Sequence, residues 1–144
     1  MTIQDALDRL DVQKPNKIDV QTKRQWLSEL DGMIWIEVLL EHEPDARLER
    51  LVEGEAFVVD DNMPPESWFV GYGPEADMNT ELLVVNPFSE DVYMYWLAAQ
   101  VDLVNMETNG YANDHELYNA AFSRYQNYYR KSHMPKQRVS CLHL

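Results

Sequence analysis

Apolar residues recur at helical spacing over four stretches of the chain and lose that spacing in between. Ile3, Ala6, Leu7 and Leu10 make one face of a short first helix, with Thr2 and Asp5 placed as a capping box. The Lys14–Lys17 stretch breaks it, because Pro15 cannot continue a helix. A second helix is predicted from Asp19 to about His42. Trp26, Leu27, Leu30, Ile34 and Val38 form its stripe, and Met33, Trp35, Ile36, Leu39 and Leu40 widen that stripe almost all the way round. A helix apolar on most faces is buried on most faces, in a core or against a partner. Asp31-Gly32 in its middle marks a kink or break, since Gly costs about 1 kcal/mol there relative to Ala.

From Glu43 to Asn86 the helical period disappears. Pro44, Gly54, Pro64, Pro65, Gly71, Gly73 and Pro74 punctuate short β-prone runs at Ala56–Val59, Trp68–Val70 and Leu82–Val85. This stretch reads as an insertion, either two or three short strands or an extended loop. The period returns after Pro87 in a third helix to about Thr108. Ser89 is placed to cap it, Tyr93, Trp96, Leu97, Val101 and Val104 are its stripe, and Asn109-Gly110 is a left-handed stop. A fourth helix opens at Asn113, with Glu116 completing a capping pattern. It carries Leu117, Ala121, Tyr125 and Tyr128 or Tyr129, and stops at Met134-Pro135. Small residues at Ala98, Ala99, Ala120 and Ala121 suit close antiparallel packing of the last two helices. The predicted fold class is mainly α: a small bundle of about four helices with an extended or short-stranded insertion (43–86) and a C-terminal arm (134–144), all in one domain over 1–144. In the arm, Val139, Cys141 and Leu142 make a candidate docking strand.

Charge adds an asymmetry to this picture. The net charge is −13. Residues 1–28 nearly balance, with five Lys/Arg and four Asp/Glu; residues 29–116 hold twenty-one acids against Arg47 and Arg50; residues 117–144 hold five bases and no acid. An acidic body disfavours phosphate binding, which needs clustered Lys/Arg. A basic end on an acidic body favours head-to-tail contact between copies. It also fits a plain solvated surface, with bases placed to suit the last turn of a helix. Apolar content of 45% with four Trp argues against disorder. No apolar run approaches the ~20 residues of a membrane span. The polar, acidic first ten residues do not read as a secretory signal. Cys141 is the sole cysteine, which excludes an intrachain disulfide and suits a reducing compartment or a particle assembled in one.

Catalytic and ligand-binding patterns are missing from the sequence. His42, His115, His133 and His143 show no H-x-x-x-H or H-E-x-x-H spacing, and C-x-x-C requires a second cysteine. Asp60-Asp61-Asn62 lacks the alternation of a calcium loop, and Gly71-Tyr72-Gly73 is only a turn signal. Neither a phosphate loop nor a nucleophile elbow occurs. No metal, cofactor or enzymatic activity is therefore expected. The candidate functional residues are contact residues instead. Trp68, Phe69 and Tyr72 in the insertion fold onto the chain's own core or anchor an interface. Arg130, Lys131, Lys136 and Arg138 form the basic end.

Several stretches together resemble small proteins encoded by tailed phages and prophages. They are Thr80-Glu-Leu-Leu-Val84, Val92-Tyr-Met-Tyr-Trp-Leu-Ala-Ala-Gln-Val-Asp102, Leu117-Tyr-Asn-Ala-Ala-Phe122, Tyr128-Tyr-Arg-Lys-Ser-His-Met-Pro-Lys136, Lys14-Pro-Asn16 and Trp26-Leu-Ser-Glu-Leu-Asp-Gly-Met-Ile34. The resemblance spans most of the chain outside 43–79 and rests on packing and turn motifs. It implies a structural protein of the phage neck, a head–tail connector or adaptor forming a ring beneath the portal. Such proteins are small helical domains whose loop and C-terminal arm reach neighbours, and they have no catalytic residues. The implied partners are other copies (dodecameric if portal-matched), the portal protein, tail-proximal neck proteins, and DNA passing through an acidic lumen that repels phosphate. No membrane is implied. The implied location is the virion neck, after assembly in the host cytoplasm. Two other readings stay open: a different minor virion protein for head or tail completion, and an inhibitor whose acidic surface mimics nucleic acid for a basic host factor.

Overall fold

The computed structural model describes residues 1–136. Five helices, α1 (Ile3–Gln13), α2 (Val20–Glu37), α3 (Ala46–Leu51), α4 (Asp91–Val104) and α5 (Thr108–Ser132), are joined by 3-10 turns at Leu39–Glu41, Pro65–Ser67 and Pro87–Ser89. The fold is mainly α, with four helices of seven or more residues and a long loop from α3 to Pro87. No strand forms among the described residues. Three isolated bridges form, Thr2 with Glu81, His42 with Pro135 and Phe57 with Phe69, and only the last joins two of the β-prone runs.

The capping box of α1 is closed: Thr2 Oγ1 accepts from Asp5 N at 3.1 Å and Asp5 Oδ2 accepts from Thr2 N at 3.1 Å. Asp19 caps α2 through Thr22 N at 2.7 Å. Asp31-Gly32 does not break α2, which continues through it to Glu37. The helix stops at Glu37, short of His42. His42 Nδ1 lies 2.8 Å from Val38 O, so the ring satisfies the carbonyl that another α-turn would have used. Within the expected insertion, α3 is an addition that sequence periodicity did not announce. Asp45 caps it by accepting from Leu48 N at 2.8 Å.

Ser89 does not cap α4. It sits in the preceding 3-10 turn, where Asn86 Nδ2 donates to its hydroxyl at 3.2 Å, and α4 starts at Asp91 without a side-chain cap. The α4–α5 connection is tighter than the sequence suggests. Glu107 N donates to Asp102 O at 2.9 Å and Met106 N to Leu103 O at 3.2 Å, the paired bonds of a Schellman stop. The left-handed residue of this stop is Met106, with φ 60°, and Asn109-Gly110 lie inside the first turn of α5. Gly110 serves close approach: a Cβ there would stand 2.9 Å from Asp102 Oδ2. Asp102 has no solvent contact and pairs with Lys14 of the α1 C-cap, which also reaches Asp114 on α5 at 3.2 Å. One ion cluster thus ties α1 to both members of the α4–α5 pair.

Arg124 and Asp91 pair at 3.1 Å along the antiparallel α4–α5 pair. Ala99 and Ala121 are buried there, whereas Ala98 is half-buried and Ala120 exposed. Across α2 and α4, Trp96 Nε1 donates to Trp26 O at 2.9 Å. The core gathers Ile3, Leu10, Leu27, Leu30, Ile34, Tyr93 and Leu97 from α1, α2 and α4, with Ala121 and Tyr125 from α5.

Two substitutions at the α4–α5 corner are expected to act in opposite directions. Gly110→Ala should lower the unfolding free energy by about 1–3 kcal/mol, because the methyl group meets the Asp102 carboxylate. Met106→Gly should raise it by up to about 1 kcal/mol, by relieving the left-handed backbone. Urea midpoints of the two variants beside wild type check both signs.

Candidate functional site

The loop that carries the sequence candidates is held by one buried carboxylate. Asp31 has no solvent contact. Tyr72 and Tyr93 donate their hydroxyls to it, the latter at 2.6 Å, and Leu83 N donates at 3.2 Å. The Tyr93 hydroxyl in turn accepts from Val84 N at 2.9 Å. Arg47 donates to Leu82 O at 2.7 Å and to Leu83 O at 2.9 Å. Residues 82–84 therefore cross the core without a partner strand. Leu82 N donates to the backbone at Met1 O, at 3.0 Å, and side chains serve Leu83 N, Val84 N and the carbonyls of Leu82 and Leu83. Burial pushes the Asp31 carboxyl up to about 6, against the lowering influence of its three hydrogen bonds and of Arg47. The same burial, with Asp31 beside them, raises the Tyr72 and Tyr93 hydroxyls well above their usual range, so both remain donors.

Tyr72 consequently belongs to the interior, the first of its two open roles. Its backbone N–H donates to Ser28 Oγ at 2.9 Å. The turn before it needs Gly71, whose φ is +91° and whose added Cβ would meet Ser28 at 3.1 Å. Phe69 is half-buried in a row of edge-on rings. Trp35 to Phe57 is 5.0 Å, Phe57 to Phe69 is 5.3 Å and Phe69 to Tyr72 is 5.7 Å. Trp68 is also half-buried, with its indole N–H donating to Asp60 O at 3.0 Å.

Phe57 and Phe69 face each other across an antiparallel bridge closed by Val58 N to Trp68 O and Val70 N to Ala56 O, both 2.8 Å. Alternation about this bridge turns Val58 and Val70 outward, while Trp68 stays half-buried, part of it packed against the core and part at the surface beside them. Val58 is 59% and Val70 58% exposed. The acids Asp60, Asp61 and Glu66 flank this ridge and make no ion pair among the described residues. No Lys or Arg occurs between Arg50 and Arg124.

The basic candidates lie on other elements. Arg130 and Lys131 are exposed on the last turn of α5, where Arg130 bonds Asn127. Lys136 is exposed just beyond, and its N–H donates to Glu41 O at 3.0 Å. Arg138 and the suggested docking strand of Val139, Cys141 and Leu142 fall outside the described residues. Tyr128 is 49% and Met134 74% exposed beside these bases. The end of α5 is fixed by His133, which stacks on Tyr129 at 3.7 Å and meets Asp45 Oδ2 at 3.0 Å. Burial acts to raise the Asp45 carboxyl, but hydrogen bonds from His133 and Leu48 N outweigh it and hold it below its usual value.

A cavity of about 360 Å³ opens between α3, α5 and residues 83–87, lined by Leu48, Val85, Tyr125, Tyr128 and His133, with Arg47 at its wall. Among the described residues no group of three or more His, Cys, Asp or Glu could hold a metal ion. No described helix is long and apolar enough to cross a membrane. The arrangement offers surfaces for contact, an acidic apolar ridge and a basic helix end, each on a fixed scaffold. No protein-family model, curated protein or solved structure matches the chain.

The sequence pattern gives Asp31 only as a break in α2 and assigns Arg47, Val58 and Val70 no place at the site. Asp31 carried one signal: a carboxylate in the apolar stripe between Leu30 and Ile34. Val58 and Val70 carried another, each following a Phe that alternation sends to the opposite face.

Asp31 has a pH signature of defined sign. Its carboxyl ionises near 3.8 in the unfolded chain and near 6 in the folded one. Between those values the folded state holds more protons, so the contribution of Asp31 to stability is full below the lower value and is lost as pH rises through the upper one. The loss amounts to about 2–3 kcal/mol. The stability of wild type relative to Asp31→Asn should therefore decline by that order when urea midpoints at about pH 4 and about pH 7 are compared. A difference independent of pH would contradict a desolvated carboxyl at the knot.

Proposed function

We propose that this chain is a structural protein of a phage virion, a head–tail connector that forms a ring below the portal and joins capsid to tail. The observation that carries the reading is the segregation of charge on one subunit. The loop surface between Arg50 and Arg124 has no base, and the end of α5 lies in a stretch without acid after Glu116. Such a subunit joins head to tail with its copies and resists pairing like surface with like. The resemblance of residues 80–136 and of the N-terminal motifs to phage connectors supplies the particle. The reading assigns no catalytic role and no cofactor to any residue. Its partners are other copies, twelve in number if matched to the portal, together with the portal and the tail-proximal neck proteins. DNA passes through the lumen without specific contact. The location is the virion neck, after assembly in the host cytoplasm.

The unpaired acids of the loop favour one second reading, an inhibitor that offers a basic host factor a surface resembling nucleic acid.

Absolute quantification of the chain in purified particles, relative to the portal, separates these readings. The expected result is a copy number equal to the portal's. Hundreds of copies would move the protein to capsid or tail tube, and absence from the particle would favour the inhibitor.

A further inference from the structure

We infer that the ridge of Val58, Trp68 and Val70 on one copy docks against the last turns of α5 on a neighbouring copy, with Tyr128 and Met134 as the apolar floor and Arg130 and Lys131 meeting the loop acids. The inference deepens the connector reading and rests on it for closure into a ring.

Single exposed apolar residues are ordinary, but a contiguous apolar ridge framed by unpaired charge of one sign is not. The ridge is rigid for a loop. Phe57 and Phe69 anchor it on Trp35, Trp35 Nε1 donates to Pro65 O at 2.9 Å, and Tyr72 is tied to Asp31 behind it. The indole N–H of Trp68 is already bonded to Asp60 O, which leaves the ring as an apolar contact. Asp60, Asp61 and Glu66 stand within three residues of Val58 or Trp68 in the chain, so a second ridge is repelled and a basic partner attracted.

The same chain carries the complementary surface. Tyr128 and Lys131 are three residues apart on α5, and Met134 follows just past its C-cap, so bases and apolar groups adjoin at one helix end. Arg130, Lys131 and Lys136 make no ion pair among the described residues. Within one copy the two surfaces stay separate. The ridge rests on the face of α2 that carries Ser28, Gly32 and Trp35, whereas the α5 end rests on Asp45 of α3 and on Glu41. Two different, complementary patches on one subunit give a heterologous contact, the kind that builds rings.

Disulfide trapping in a Cys141→Ser background tests the contact on the full chain. One protein carries Val70→Cys and the other Tyr128→Cys. Mixed under mild oxidation, they should cross-link to each other, and neither should cross-link well to itself. Adding Arg130→Glu and Lys131→Glu to the Tyr128→Cys protein should cut the mixed product about tenfold. Adding Asp60→Lys and Asp61→Lys to the Val70→Cys protein should then restore it. Circular dichroism of each variant controls for folding. Self-linking as strong as the mixed product, no mixed product, or a yield indifferent to the charge reversals would overturn the contact. A portal-like copy number in particles combined with any of these results removes the contact and leaves the connector reading. Trapping with charge rescue, together with absence from particles, keeps the contact and removes the neck.

Discussion

A carboxylate without solvent is the constraint on which this structure turns. Asp31 sits in the apolar stripe of α2, where an unpaired charge would be costly enough to unfold the helix from its neighbours. The chain answers by converging on it. Tyr72 arrives from the loop, Tyr93 from α4, and Leu83 N from the crossing segment. Because two donors come from separate parts of the loop and one from α4, the carboxylate is satisfied only when α2, α4 and the loop are all in place. The group that is most expensive to bury therefore specifies the arrangement of the elements around it.

The ion cluster of Lys14, Asp102 and Asp114 repeats this logic at lower cost, since Lys14 remains partly exposed. There the close fit falls on the backbone: Gly110 lacks the Cβ that would strike Asp102, and Met106 accepts the left-handed conformation that the tight corner demands. The Asp31 cluster, with Arg47, explains how a chain with few regular loop contacts fixes its crossing segment, while the Lys14 cluster fixes the helices around it. The loop is an irregular path whose polar groups are consumed by helices, and this leaves its outer face stiff enough to present a defined surface.

The helices were legible where the 3.6-residue period was strong. Leu27, Leu30 and Ile34, or Tyr93, Leu97 and Val101, are sufficient to place α2 and α4, and the capping-box pair Thr2 and Asp5 places the start of α1. The ends were less legible, because they depend on contacts distant in sequence or on side chains that compete for carbonyls. His42 takes the Val38 carbonyl, and Gly110 packs against Asp102 instead of turning the chain. Asp31-Gly32 read as a break for the same reason. Only the convergence of Tyr72, Leu83 and Tyr93, forty to sixty residues away, reveals that the polar residue holds the helix in place. Of the candidate contact residues, the bases of α5 were identifiable by charge alone. The aromatics were identifiable as a group, but not by the direction each would face. Tyr72 is buried, Phe69 and Trp68 are half-buried against the core, and alternation about the Phe57–Phe69 bridge brings Val58 and Val70 to the surface beside Trp68.

The segment at residues 82–84 has an evolutionary consequence. A strand in a sheet borrows its hydrogen bonds from another backbone, which every amino acid supplies. Here only Leu82 N borrows from a backbone, at Met1 O, and the other lenders are Asp31, Arg47 and the Tyr93 hydroxyl, each unique in its chemistry. The identity of Leu82, Leu83 and Val84 can drift among apolar residues without disturbing those bonds, whereas a change at any lender strands a buried amide or carbonyl. In descendants of this sequence, the strictest selection on the path of that segment should fall on residues outside it.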